Sequence, residues 1–104
     1  MDKFLNFLGL VKKSGKLVEG YSQCDEQRNK NEFYLFIVSK DASDNSKDKF
    51  KKHCENKNII YINDFTKKEL GEAVGRPEVN IIGILDLNMA NKLFSIYQED
   101  KFME

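Results

Sequence analysis

His53 is the only histidine in the chain. With one imidazole, neither a histidine-cluster metal site nor a repeated serine–histidine arrangement can be built. Cys54 is its neighbour in sequence, and on a helix the two side chains point roughly 100° apart, too far to share one ion easily. A metal would need carboxylates from elsewhere, so the plainer reading is a helix-face histidine beside a core cysteine. The stretch Gly71-Glu72-Ala73-Val74-Gly75 lacks the Lys-Ser/Thr that ends a phosphate-binding loop. Its small residues more simply let a helix approach the sheet. Asp41 and Asp86 sit at strand ends, where α/β enzymes often keep carboxylates, but capping a helix is the commoner role there. These residues point to no catalytic group, no metal and no cofactor.

What remains is suited to binding. Gly20-Tyr21-Ser22-Gln23 opens a helix, so its backbone N–H groups can meet phosphate or base acceptors. Lys12, Lys13 and Lys16 precede it. Arg76, one of two arginines with Arg28, lies in a loop before the last apolar run. Taken alone, these residues read more readily as solvated turns with scattered lysines.

The elements that must position these loops follow from periodicity and capping. Asp2 can cap a first helix to about Ser14, with Phe4, Phe7, Leu8 and Val11 at i, i+3, i+4, i+7 and Gly15 ending it. Leu17–Glu19 reads as a short strand. Ser22 with Asp25 resembles a capping box, which starts a polar second helix near Ser22 and carries it to Asn31. The apolar run Phe33–Val38 suits a central strand covered on both faces. Ser43 can cap a lysine-rich third helix to about Asn56, with Phe50 and Cys54 inward. Ile59–Ile62 is the next buried strand. Thr66-Lys67-Lys68-Glu69 is a second capping box, with Phe65 and Leu70 placed to staple the helix entry and Gly75 closing it. Val79–Leu85 is the last strand. Asn88 can cap a final helix carrying Met89, Leu93, Ile96 and Tyr97, with fraying expected from about Glu99.

Helices thus alternate with strands, α-β-α-β-α-β-α-β-α, which implies one sheet between helical layers. Pattern alone favours mostly parallel strands, because helical crossovers join them. The 104 residues suit one domain, and a 40% hydrophobic share with eight Phe and four Tyr supplies a core. The formal net charge of zero argues against a nonspecific polyanion binder but permits a local basic patch. No secretory leader or membrane span is expected. Cys24 and Cys54 without paired spacing fit two free thiols in a reducing cytoplasm.

The run Phe4-Leu5-Asn6-Phe7-Leu8-Gly9-Leu10-Val11-Lys12-Lys13-Ser14-Gly15-Lys16-Leu17-Val18-Glu19-Gly20 resembles the opening of bacterial YlxQ-type proteins, members of the ribosomal seven-Ae/thirty-e superfamily. The similarity continues through Lys40-Asp41-Ala42-Ser43, Lys52-His53-Cys54, Glu69-Leu70-Gly71-Glu72-Ala73-Val74-Gly75-Arg76 and Ala90-Asn91-Lys92-Leu93, nearly the whole chain. It implies a three-layer α/β/α sandwich with a four-stranded mixed sheet. It also implies a partner, structured RNA with a kink-turn, and a ribosome-associated role.

In RNA-binding members of that superfamily, the glycine after the first strand leads into an Asn-Glu pair and then a lysine, which read the sheared G·A pairs of the kink. Here the glycine is Gly20, Ser22 and Gln23 stand in place of the pair, and Glu26 replaces the lysine. Ser22 and Gln23 keep groups that hydrogen-bond base edges; Glu26 reverses a charge. A second contact is implied at the loop before the last strand, where Arg76 pairs with phosphate and Pro77 or Val79 walls an extruded nucleotide. Asp41 matches an acidic position that supports the binding loop. The implied surface is therefore Lys16, Gly20, Tyr21, Ser22, Gln23, Asp41, Arg76, Pro77 and Val79.

Two functions stay open at this point. One is a non-enzymatic module that recognises bent RNA. The other is a family member that has lost kink-turn binding and serves as a protein-interaction domain, favoured by zero net charge and by Asp25 and Glu26 on the second helix. A small hydrolase has no supporting constellation.

Overall fold

Asp2 starts the first helix by accepting the Phe4 N–H at 2.6 Å and the Leu5 N–H at 3.3 Å. The computed structural model describes residues 2–102. Helix α1 (Lys3–Ser14) buries Phe4, Leu5, Leu8 and Val11 and stops at Gly15, whose φ of 80° is left-handed. Phe7, expected in the buried stripe, is only half-buried. Strand β1 (Leu17–Glu19) follows, then α2 (Tyr21–Gln27), β2 (Leu35–Val38), α3 (Asp44–Lys57), β3 (Ile60–Ile62), α4 (Lys67–Val74), β4 (Ile81–Ile84) and α5 (Leu87–Phe102).

The strand order is β1-β4-β2-β3. β4 runs antiparallel to both β1 and β2, while β2 and β3 are parallel. The mixed sheet replaces the parallel default that pattern alone suggests. Helix α4 has only eight residues, and the chain enters β4 from the same edge at which β3 leaves. The two central strands, β2 and β4, are buried at every residue. β3 is an edge strand and is half-buried at Ile60 and Tyr61, where a fully buried strand was expected.

Helices α1, α4 and α5 cover one face, packing Phe4, Leu8, Leu70 and Leu93 against Leu35, Ile37, Ile82 and Ile84. Helices α2 and α3 cover the other, packing Cys24, Phe50 and Cys54 against Phe36, Val38 and Ile81. Gly83 sits under this second layer. A Cβ there would lie 2.5 Å from the Phe33 ring and 2.8 Å from the Phe36 ring. Phe33 is therefore buried without being part of the strand, its ring 4.7 Å from that of Phe36.

Two capping expectations change, and with them two helix ends. Helix α2 begins at Tyr21 with Gly20 as its cap and no side-chain cap bond. Ser22 lies inside the helix, and Asp25 turns to Arg28 and Lys49. The helix ends at Gln27, well short of Asn31. Helix α5 is capped by Asp86, which accepts the Met89 N–H at 2.9 Å, so Asn88 is helical. That helix continues past Glu99, where fraying was expected. Lys3–Glu99 and Lys101–Asp64 ion pairs hold its last turns. The Thr66–Glu69 capping box and the Ser43 cap form as expected. No described helix is long and apolar enough to cross a membrane.

Candidate nucleic-acid interface

Because β1, β2 and β3 share a direction and β4 opposes them, one edge of the sheet collects four chain segments. These are Gly20–Gln23, Ser39–Ala42, Asn63–Thr66 and Gly75–Asn80. Gly20 has φ 95° and donates its N–H to the Ile81 carbonyl at 2.8 Å. That bond seats the start of α2 against the start of β4. Tyr21, Ser22 and Gln23 are all exposed.

The loop before β4 is fixed from three sides. Gly71 lies so close to it that a Cβ would meet the Glu78 Cα at 2.6 Å and the Arg76 carbonyl oxygen at 2.7 Å. Gly71 thus admits this loop, and the approach is to the loop where the sequence suggested the sheet. The Arg76 N–H donates to the Gly71 carbonyl at 2.8 Å, and the Val79 N–H donates to the Lys67 carbonyl at 3.0 Å. Asp41 Oδ2 in turn accepts the Lys67 N–H at 2.9 Å. Asp41 therefore supports the loop through Lys67, at one remove.

Arg76 faces β1. Its Nη1 is 2.9 Å from Glu19 Oε1, and Lys12 Nζ is 2.6 Å from Glu19 Oε2. This bridge brings Arg76 beside Gly20, uniting the two contacts that the sequence kept 56 positions apart (20 and 76). Pro77 is exposed next to it. Val79 is not available as a wall: it is only 6% exposed and packs in the core with Val74 and Ile82. Lys16 is also set apart. Its carbonyl pairs with the Leu85 N–H, at the opposite edge of the sheet from Gly20. The structure thus brings together Gly20, Tyr21, Ser22, Gln23, Arg76 and Pro77, with Asp41 in support, and leaves out Lys16 and Val79.

Sequence reasoning missed several positioning residues. Ser39, fully buried, donates its hydroxyl to Asn80 Oδ1 at 2.6 Å. Asn63 Nδ2 donates to the Val38 and Ser39 carbonyls at 2.7 and 3.0 Å. Together they lock three of the four segments. Glu19 was equally silent, because its pairing with Arg76 depends on β1 lying beside β4. Lys49 reaches from α3 to the Tyr21 hydroxyl at 2.8 Å and to Asp25 Oδ1 at 3.1 Å. The hydrogen bonds that Lys49 donates, first to Tyr21 and then to Asp25, raise its pKa. The hydrogen bonds from Arg28 and Lys49 hold the Asp25 carboxyl below its usual range.

A model of the ribosomal protein L7Ae/L30e/S12e/Gadd45 family matches residues 2–94. The chain belongs to that family. It is 28% identical over 91 residues to the RNA-binding protein YlxQ of Enterococcus faecium, covering 88% of this chain and 87% of that protein. It is 26% identical over 89 residues to the protein of the same name from Bacillus subtilis, covering 86% and 89%. Among solved structures, a Bacillus halodurans protein of unknown function superposes with a TM-score of 0.87 at 28% identity, over 92% of this chain and 97% of that one. A Giardia lamblia 15.5kD RNA binding protein superposes at 0.70 with 20% identity, over 88% and 85%, and so shares the fold. The family and its three-layer α/β architecture are those that the sequence resemblance implied.

Proposed function

We propose that this protein binds structured RNA at the edge formed by Gly20–Gln23 and Arg76–Pro77, without catalytic chemistry. The observation that carries the reading is the Glu19–Arg76 contact, which places an arginine-bearing, proline-backed loop beside the exposed start of α2. Ser22 and Gln23 offer hydroxyl and amide groups to base edges there, and Arg76 offers a planar donor fork to phosphate. Two adjacent loops, one offering donors to base edges and one to phosphate, suit a bent RNA of kink-turn type, recognised by shape and by unpaired bases. Curated relatives named RNA-binding proteins support the partner class. A ribosome-associated role in the cytoplasm is the setting in which we place it.

The test is a titration of the full chain against a kink-turn duplex and a straight duplex of equal length. Tighter binding to the kinked RNA is expected. The logarithm of the binding constant should fall with that of salt by roughly 0.9 per phosphate neutralised, on a B-DNA scale. Equal binding to both, or none at low salt, would favour the second reading, a protein-interaction module. That reading has one specific observation behind it: the Glu26 carboxylate is 65% exposed on α2.

A further inference from the structure

Glu26 offers RNA a carboxylate on the outer side of α2, whereas α3 brings cations to the seam between the two helices. Helix α3 carries Asn45, Lys49, Lys52 and Asn56 within roughly 60° of one another on its circumference. The Lys49 side of that flank faces α2. Lys49 bonds Tyr21 and Asp25, and His53, next along the same side, is 3.2 Å from Arg28. The other lysines of the helix body, Lys47 and Lys51, fall on the far flank, where the Lys47 carbonyl accepts from Tyr61 of β3.

The three charges that pair in this seam sum to one positive charge, and Asp48 and Glu55 lie a turn to either side of Lys52 without pairing with it. Asp25 is one carboxylate between two cations, Arg28 at 2.9 Å and Lys49 at 3.1 Å. Lys52 adds an exposed cation with no carboxylate within ion-pair distance among the described residues. Burial first, and then the Arg28 and Lys57 charges, push the His53 pKa down, so it stays neutral near pH 7. Tyr21 adds an aromatic surface, 40% exposed, with Lys49 Nζ 5.3 Å from its ring centroid. A cation beside an exposed ring is the combination that holds a nucleic-acid strand, phosphate on one and base on the other.

We infer that the seam between α2 and α3, through Tyr21, Lys49 and Lys52, is a second RNA contact that takes backbone phosphates. The inference rests on the RNA-binding reading above. It adds a surface continuous with Gly20 and running away from Arg76 along α3.

The test is binding of the full chain to the kink-turn duplex across a salt series. Lys52→Gln is expected to weaken binding to every RNA used and to lower the salt slope by about one, with the melting temperature unchanged. Lys51→Gln, on the opposite flank, is expected to change neither. Tyr21→Ala should weaken binding to RNA with unpaired bases more than binding to straight duplex. If Arg76→Gln weakens binding and Lys52→Gln does not, the α3 contact is wrong while the RNA reading stands. Equal losses from Lys51→Gln and Lys52→Gln would reduce the seam to nonspecific attraction and overturn it. If the wild-type chain binds no RNA, both inferences fall together.

Discussion

The Arg76 guanidinium is held 2.9 Å from the Glu19 carboxylate, which Lys12 closes from its other side at 2.6 Å. A carboxylate between two cations positions them and also competes with any phosphate that approaches. The two roles separate by substitution. Arg76→Gln should weaken RNA binding while shifting stability by about 1 kcal/mol or less, as exposed ion pairs do. Glu19→Gln should do the opposite to binding, because both cations are then released to phosphate. Measuring both affinities at one salt concentration checks the pair. If both variants bind like wild type, the bridge lies outside the contact.

Gly71 provides a more severe test of the same loop. The atoms that its Cβ would strike belong to the backbone of Arg76 and Glu78 and cannot swing aside. Gly71→Ala must therefore displace the loop, at about 1–3 kcal/mol of overpacking. RNA affinity, measured well below the melting temperature, should fall further than for Arg76→Gln. The substitution moves Arg76 and Pro77 together, whereas Arg76→Gln removes one charge. A stability loss with unchanged affinity would mean that RNA does not touch this loop.

The ability to read these features in the sequence follows the range of the interactions. Asp2, Ser43 and the Thr66–Glu69 box are local rules, and each operates as read. The apolar runs of β2 and β4 are legible because strands buried on both faces cannot hide polar residues. Ser22 failed as a cap because Gly20, at φ 95°, already turns the chain into the helix two residues earlier. The antiparallel setting of β4 was not legible from pattern. With it were lost Glu19, Asn80 and the placement of Lys16 at the far edge. Val79 looked like a loop wall beside Pro77, but its burial is a matter of register against Val74 and Ile82, which spacing does not reveal.

His53 gives the fold an acid sensitivity with a definite sign. Its ring is buried, its Nδ1 faces Arg28 at 3.2 Å, and Nε2 has no partner among the described residues. Burial and the adjacent cations depress its pKa below the ordinary 6.5. The unfolded chain then takes up a proton at pH values where the folded chain does not, so stability falls as pH drops below about 6.5. His53→Gln, which keeps an acceptor for Arg28, should lose that part of the decline. The melting temperature of wild type minus variant, followed from pH 7.5 to about 5, isolates it from the carboxylates. A difference constant across that window would mean that His53 does not titrate differently on folding.

Glu26 tests the RNA reading at the position where the sequence resemblance implies a lysine. The structure reverses what the sequence suggests about its energetics. Read as part of the first turns of a helix starting near Ser22, Glu26 would favour the N-terminal dipole and its replacement by lysine would cost stability. Helix α2 instead runs Tyr21–Gln27, so Glu26 lies in the final turn, where the dipole favours a cation. Its ion pair with Lys30 is 3.8 Å long, and both side chains are largely exposed. Losing that pair and gaining a like-charge i,i+4 neighbour costs about 0.4–1 kcal/mol, similar in size and opposite in sign to the dipole gain. Glu26→Lys should therefore leave the melting temperature nearly unchanged. Its RNA affinity should rise and its salt dependence should steepen, since a carboxylate on α2 is replaced by a cation. Because stability is level, any change in binding reports the surface alone. If affinity for the kink-turn duplex does not rise, this face of α2 does not meet RNA. The zero net charge and the acidic residues of α2 then argue for a protein partner.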